Sequence, residues 1–312
     1  MFEIRRYTPE NADEWNLFVA QSKNGTFLFD RRYMDYHADR FVDHSLMFYK
    51  EKSLLAVLPA NESGPTLYSH QGLTYGGLIA GLALTAADTL QLFSDLNHYL
   101  LHVGISRVVY KAIPWIYQQL PAEEDLYALT QVCHAQLTTR ELSTTIMLQR
   151  DIRWSRVRRR GIKRAQEAGV VVEVSRDFES FWPVLEENLL VNHQVRPVHT
   201  ISEMKLLNSH FPQNIVLYTA TLDEQILGGV VMYLTPQVAH AQYSSATPEG
   251  KRLGVLDAIY DRIMHQDMKD YPYFDFGKST EDAGRILNEQ LVFQKEGFGG
   301  RAVCYDTYEW NL

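Results

Sequence analysis

Residues 215–234, IVLYTATLDEQILGGVVMYL, read as a β-hairpin, with the apolar runs Ile215 to Thr221 and Ile226 to Leu234 flanking the turn at Asp223 and Glu224. The run Val238 to Ser245 is the next strand. Arg252 to Met268 then carries Leu256, Ile259, Tyr260 and Ile263 at helical spacing, and Tyr273 to Phe276 returns to a strand. Hairpin, strand, helix and strand in that order predict an α/β unit built on a mixed sheet.

The same order occurs earlier in the chain. Leu46 to Tyr49 and Leu54 to Leu58 flank the polar turn Lys50 to Ser53, and Thr85 to His102 is a helix ending at Gly104. Arg107 to Lys111 follows as a strand, and further strands are expected near Leu126 to Leu137 and Ser143 to Leu148. This recurrence predicts a duplicated unit, with one domain over 1–149 and a second over 150–312.

Composition narrows the function classes. The chain has 312 residues, 46% of them hydrophobic, and a net charge of −8, which suits a globular core and argues against a general nucleic-acid coat. Charge is unevenly spread: RDIRWSRVRRRGIKR (150–164) holds eight basic residues and one acid, leaving 22 − 37 = −15 for the rest. That segment reads either as a solvated helix face or as an attractor for a phosphorylated ligand. Cys133 and Cys304 are the only cysteines and form no metal pattern, and no apolar run is long enough to span a bilayer, so a cytoplasmic protein is expected.

Several stretches resemble the GNAT acyltransferase superfamily, particularly its FemAB-like double-domain branch of bacterial cell-envelope chemistry. They are WSRVRRRGIKRAQEAGVVVEV (154–174), the hairpin 215–234, AQYSSATPEGKRLGVLDAIYDRI (241–263), FDFGKST (274–280) and FQKEGFGG (293–300). The resemblance implies tandem GNAT-like domains, the second catalytic and the first degenerate, with acetyl-CoA or another acyl-CoA as cosubstrate. The family's diphosphate loop is best matched at Lys251 to Leu256, where Gly254 fits and Leu256 replaces a small residue. Ser244, Ser245, Gly250, Lys251, Arg252 and Gly254 are therefore the cofactor candidates. The other reading of this stretch is an ordinary turn at Pro248 and Gly250, with Gly254 allowing close helix packing.

Acyl transfer to an amine needs an oxyanion donor and an acid for the leaving group. The resemblance places backbone donors on a splayed strand, His240 to Ser245. Tyr243 is a candidate acid or a packed aromatic, and Asp275 a proton acceptor or a helix cap where a strand becomes a helix. Substrate contacts are expected from Lys278, Arg285, Asn288 and Lys295, the last matching a phosphate-binding position of Fem-type enzymes, and from His193 and Arg196 in a loop after the helix Phe181 to Leu190. Surface packing is the alternative at each.

Other chemistries lack their signatures. The DFG triplet at 275–277 has no accompanying HRD motif, there is no P-loop or GxSxG elbow, and His98 with His102 lacks a third metal ligand, so no metal is expected. Three functions remain. One is acyl transfer from acyl-CoA to an amine on a small, nucleotide-linked or lipid-linked molecule. The second is Fem-type transfer from aminoacyl-tRNA to a peptidoglycan precursor. The third is a non-catalytic binding module.

Overall fold

The computed structural model describes every residue except Ile152, and the side chains of Asn192 and His193 also lie outside the described set. The chain forms two compact units, Met1–Leu142 with Glu281–Ile286 and Cys304–Leu312, and Ser143–Thr280 with Leu287–Val303. The expected boundary at 149/150 falls a few residues beyond the point where the chain leaves the first unit, and it does not anticipate the two later returns.

In the first unit, strands Glu3–Arg6, Leu46–Lys50, Ser53–Leu58 and Ile79–Ala80 pair antiparallel in that order. Helix Ala86–His102 lays Leu92, Phe93, Leu96 and Leu100 into the core beside Phe48 and Leu58. Its start is capped by the Thr85 side chain, which accepts from the Asp88 amide, and Gly104 leaves the helix in the left-handed region at φ 86°. The strand expected from Leu126 is instead helix Glu124–Gln131. Glu124 and Asp125 favour a helix N-terminus there, and Ala128 and Leu129 take the buried side.

The second unit has the strand order Val171–Ser175, Ile215–Leu222, Gln225–Leu234, Val238–Ala246, Tyr273–Lys278 and then the end of Gln136–Met147. All neighbours are antiparallel except Val238–Ala246 with Tyr273–Lys278. That parallel pairing runs from Val238↔Tyr273 to His240↔Asp275 and stops, whereas Val238–Ala246 stays paired to Gln225–Leu234 as far as Ala246↔Gly228. Both strands are irregular at this level. Val231 faces Tyr243 and Met232 faces Ala241, so Gln242 is an extra, bulged residue. On the neighbouring strand Asp275 pairs Thr145 but Lys278 pairs Ser143, with Gly277 at φ 77° absorbing the additional residue. The two parallel strands therefore part.

The helix expected from Arg252 to Met268 is broken. Pro248–Leu253 ends at Gly254, φ 81°, and Val255–Arg262 continues into a π turn, Ile263–Asp267. Ile259, Tyr260 and Ile263 enter the core as their spacing predicts, whereas Leu256 is only partly buried and Val255 beside it is buried instead. Helix Arg156–Glu167 crosses this break so closely that a Cβ on Gly254 would lie 2.7 Å from the Gly161 Cα, and one on Gly161 would lie 1.8 Å from Asp257 Oδ2. Gly161→Ala should lower stability by about 2 kcal/mol despite its better helix propensity, because the overlap is with a buried carboxylate. Chemical denaturation checks this, and an unchanged or raised midpoint would contradict the close crossing.

Candidate functional site

Where the strands part, a cavity of about 560 Å³ opens in the second unit. One wall is the freed edge of Val238–Ala246, including Gln242 and Ser244; Phe276 and Tyr260 form the floor; Gln294 and Lys295 close it from helix Glu289–Glu296. The Gln242 bulge reverses the side-chain alternation. Ala239 and Ala241 face the core before it, and Ser244 takes that side after it. Ser244 Oγ thus lies 2.6 Å from the Tyr260 hydroxyl. Phe274, Phe276 and Phe298 pack edge-on around Tyr260 at 5.7, 5.1 and 5.2 Å, and burial pushes its phenol up to about 12.

Lys295 is 8% exposed, and its ammonium donates to Gly277 O at 2.8 Å, Lys278 O at 2.9 Å and Ser279 Oγ at 2.8 Å. These three bonds match its three protons and fasten the end of the kinked strand to helix Glu289–Glu296. Burial pulls the ammonium down to about 8, with the Asp275 charge opposing that shift. Asn288, expected at a substrate, both lines the cavity and caps this helix, its Oδ1 accepting from the Leu291 amide at 3.0 Å.

Asp275 is fully buried in Tyr273–Lys278, so it caps no helix, and it is not among the cavity's lining residues. Its carboxylate accepts from Ser143 Oγ at 2.6 Å, Thr145 Oγ1 at 2.8 Å and His240 Nδ1 at 2.9 Å. The strand runs on through Gly277 to Lys278 and is followed by the short strand Thr280–Glu281, not by the helix expected there. Tyr243 lies on the other side of the sheet from Tyr260. Its ring packs on Trp182 of helix Phe178–His193 and its hydroxyl lies 2.7 Å from His199 Nδ1, so the phenol in the cavity is that of Tyr260.

The diphosphate grip expected at Gly254 is not formed. The Gly254 amide is already bonded to Gly250 O at 2.9 Å, the Gly250 amide to Thr247 Oγ1 at 3.0 Å and the Lys251 amide to Thr247 O at 2.9 Å. Asp257 occupies the first turn of Val255–Arg262, is 5% exposed, and meets Arg158 at 2.7 Å. The protein's own carboxylate stands where a bound anion would benefit from the helix dipole, and Gly161 covers the approach. Close helix packing is therefore the role of Gly254.

The remaining candidates divide. Lys251 lines the cavity and bonds Asn188 Oδ1, whereas Arg252 is exposed and pairs Glu249 at 3.2 Å. Ser245 lines the cavity too, but its hydroxyl donates to Val184 O at 2.9 Å. Lys278 contributes its carbonyl to Lys295. Arg285 is exposed, lies 3.6 Å from Asp282 and belongs to the first unit; Arg196 is exposed and does not line the cavity; the His193 side chain lies outside the described residues. Tyr260 and Gln242 were missed. Tyr260 falls on the apolar helical stripe and reads as core, and nothing in VAHAQYSSA marks the bulge.

Residues 154–283 match the model of the acetyltransferase (GNAT) domain. Over that span the chain is similar to GNAT acetyltransferases. Its whole fold is a FemAB-like double-GNAT fold, similar to the crystal structure of FemX at TM-score 0.71 and 10% identity, covering 99% of this chain and 97% of that one. A tandem GNAT protein of the clavulanic acid biosynthesis pathway is similar at TM-score 0.54 and 10% identity, covering 100% and 98%. The C-terminal domain of a putative lysylphosphatidylglycerol synthetase from Agrobacterium fabrum is similar at TM-score 0.60 and 12% identity, covering 96% and 91%. No curated protein matches the chain in sequence. The cavity joins residues of the matched span, from Asn188 to Phe276, with others from beyond it, Asn288 to Phe298, in and around helix Glu289–Glu296. Among the described residues no cluster of His, Cys, Asp or Glu is arranged to hold a metal ion, and no helix is long and apolar enough to cross a membrane.

Replacing Lys295 by Met should cost about 3 kcal/mol, since it strands two buried carbonyls and a hydroxyl. The fold depresses the lysine's affinity for a proton, so the unfolded chain binds more protons between about pH 8 and pH 10 and the wild type gains stability across that window. Lys295→Met should lack that gain, about 2 kcal/mol. Urea unfolding of both proteins at pH 7 and pH 10 measures it, and parallel pH profiles would contradict the buried ammonium.

Proposed function

We propose that the second unit is the catalytic half and that it transfers an acyl or aminoacyl group to an amine carried by a small or lipid-linked molecule of the cell envelope. The observation that carries this is the parting of Val238–Ala246 from Tyr273–Lys278 at the mouth of a polar cavity. A strand edge released from its sheet partner keeps backbone N–H groups pointing outward, and these can take the oxyanion of a tetrahedral intermediate without reorganising. The donor carbonyl would lie along residues 242–244. The Ser244 and Tyr260 hydroxyls, 2.6 Å apart, form a two-step path for the proton that the leaving group requires.

The donor is the finer question. Acyl-CoA remains the simplest, entering through its acyl end, but the closed amides at Gly250, Lys251 and Gly254 remove the usual diphosphate grip. That observation favours a second reading, an aminoacyl ester on RNA. A phenol raised to about 12 is well matched to a departing alkoxide and less needed by a thiolate, whose pKa lies lower. Exposed Arg156, Arg160 and Arg164 would then hold phosphates. Two similar folds bear on the acceptor, FemX and a synthetase named for lysylphosphatidylglycerol, an aminoacylated lipid.

Two donors decide between the readings: [14C]acetyl-CoA and charged [14C]aminoacyl-tRNA, each with extracted lipid and with nucleotide-linked peptidoglycan precursors. Label should pass to an amine from one donor. With the productive donor, Tyr260→Phe should lower kcat about 100-fold with little change in KM. Unaltered kcat would remove Tyr260 from the proton path, and no transfer from either donor would overturn the acyl-transfer reading.

A further inference from the structure

Most of the basic segment takes no part in the transfer cavity. Helix Arg156–Glu167 turns Gly161 and Ala165 inward, and Arg158 is paired with Asp257. Arg153, Arg156, Arg159, Arg160 and Arg164 are exposed, and among the described residues none has a carboxylate within 4.0 Å. Lys163 alone on that face reaches an acid, Glu167 at 3.5 Å. In a chain with 38 acidic residues, partners for five arginines were readily available. Like charges left crowded on three helical turns repel one another unless an anion from outside completes them.

Two of these arginines border a cavity of their own. It measures about 580 Å³ and is lined by Arg153, Trp154, Arg159, Ile162, Asp261 and His265. Trp154 is 7% exposed, and its indole N–H is buried without an acceptor. Its ring lies 4.9 Å from that of His265, whose Nδ1 meets Asp261 Oδ1 at 2.9 Å. The site therefore offers two guanidiniums with no carboxylate partner and, on the facing helix, a carboxylate and imidazole able to accept from a hydroxyl. Such a set fits a ligand with an anionic end and a hydroxyl-bearing end. An anionic membrane fits less well, because Val157 is the one large apolar side chain exposed on the helix.

We infer that this cavity binds a phosphate ester of a hydroxyl-bearing small molecule, its phosphate held by Arg153 and Arg159. Guanidiniums suit the role because their planar fork matches phosphate oxygens in pairs. The site is independent of the transfer reaction and uses none of its groups.

Calorimetric titration of the full chain with ADP and with ribose 5-phosphate tests this, and the two ligands distinguish a nucleotide from a sugar phosphate. At least one should bind, and the affinity should fall at least tenfold in Arg153→Ala and in Arg159→Ala, which are exposed positions, while Lys251→Ala leaves it unchanged. Binding that Lys251→Ala abolishes would place the ligand in the transfer cavity and overturn the inference. Binding of poly(U) alone, with neither small phosphate, would also overturn it in favour of an extended polyanion track. Binding of neither small phosphate nor poly(U) would leave the cavity without the assigned ligand.

Discussion

One buried carboxylate holds three strands together at the level where two of them separate. Asp275 reaches His240 on one side and Ser143 and Thr145 on the other, so its charge is met by three donors without any contact with water. A buried carboxylate left with fewer donors would be strongly destabilising, so these bonds pin His240, Ser143 and Thr145 to one register. Just beyond this point parallel pairing ends, Gln242 bulges from one strand and Gly277 kinks the other. Lys295 ties the kinked end to the following helix. The cavity exists because the strands are clamped below and released above.

The same economy explains how the unit uses its charges. Asp257 and Arg158 form a partly buried pair that fills the start of helix Val255–Arg262, and burial pushes the Asp257 carboxyl up while Arg158 opposes the shift. Gly161 and Gly254 allow the two helices to touch around that pair. The site that related chemistry would give to a diphosphate is thereby spent on stability. Under the proposed transfer, the open strand edge and the hydroxyls of Ser244 and Tyr260 are what remains for a donor.

Much of this architecture was legible in the sequence because it follows local periodicity. The hairpin at 215–234, the capped helix ending at Gly104 and the apolar stripe of Ile259, Tyr260 and Ile263 all rest on spacing and turn chemistry, and all formed. The site was legible only in outline. Ser244, Lys251, Asn288 and Lys295 do line the cavity. Tyr243 lies on the expected strand but outside the cavity, because one extra residue at Gln242 reverses the alternation and turns it to the far side of the sheet, a bulge that no residue in the stretch marks. Gly254 was assigned to an anion because its motif says nothing of Gly161, which arrives from nearly a hundred residues away. Likewise, the partners of Asp275 come from the two strands on either side of it, more than thirty residues away along the chain, and no local pattern announces them.

The central claim concerns where the reacting carbonyl sits, and a crystal structure with a non-hydrolysable acyl-donor analogue tests it most directly. The carbonyl oxygen should lie about 2.7–3.1 Å from a backbone amide within residues 242–244, with the leaving atom facing Ser244 and Tyr260. An analogue bound in the unit with its carbonyl away from that strand edge, or with the edge amides bonded elsewhere in the protein, would contradict the account.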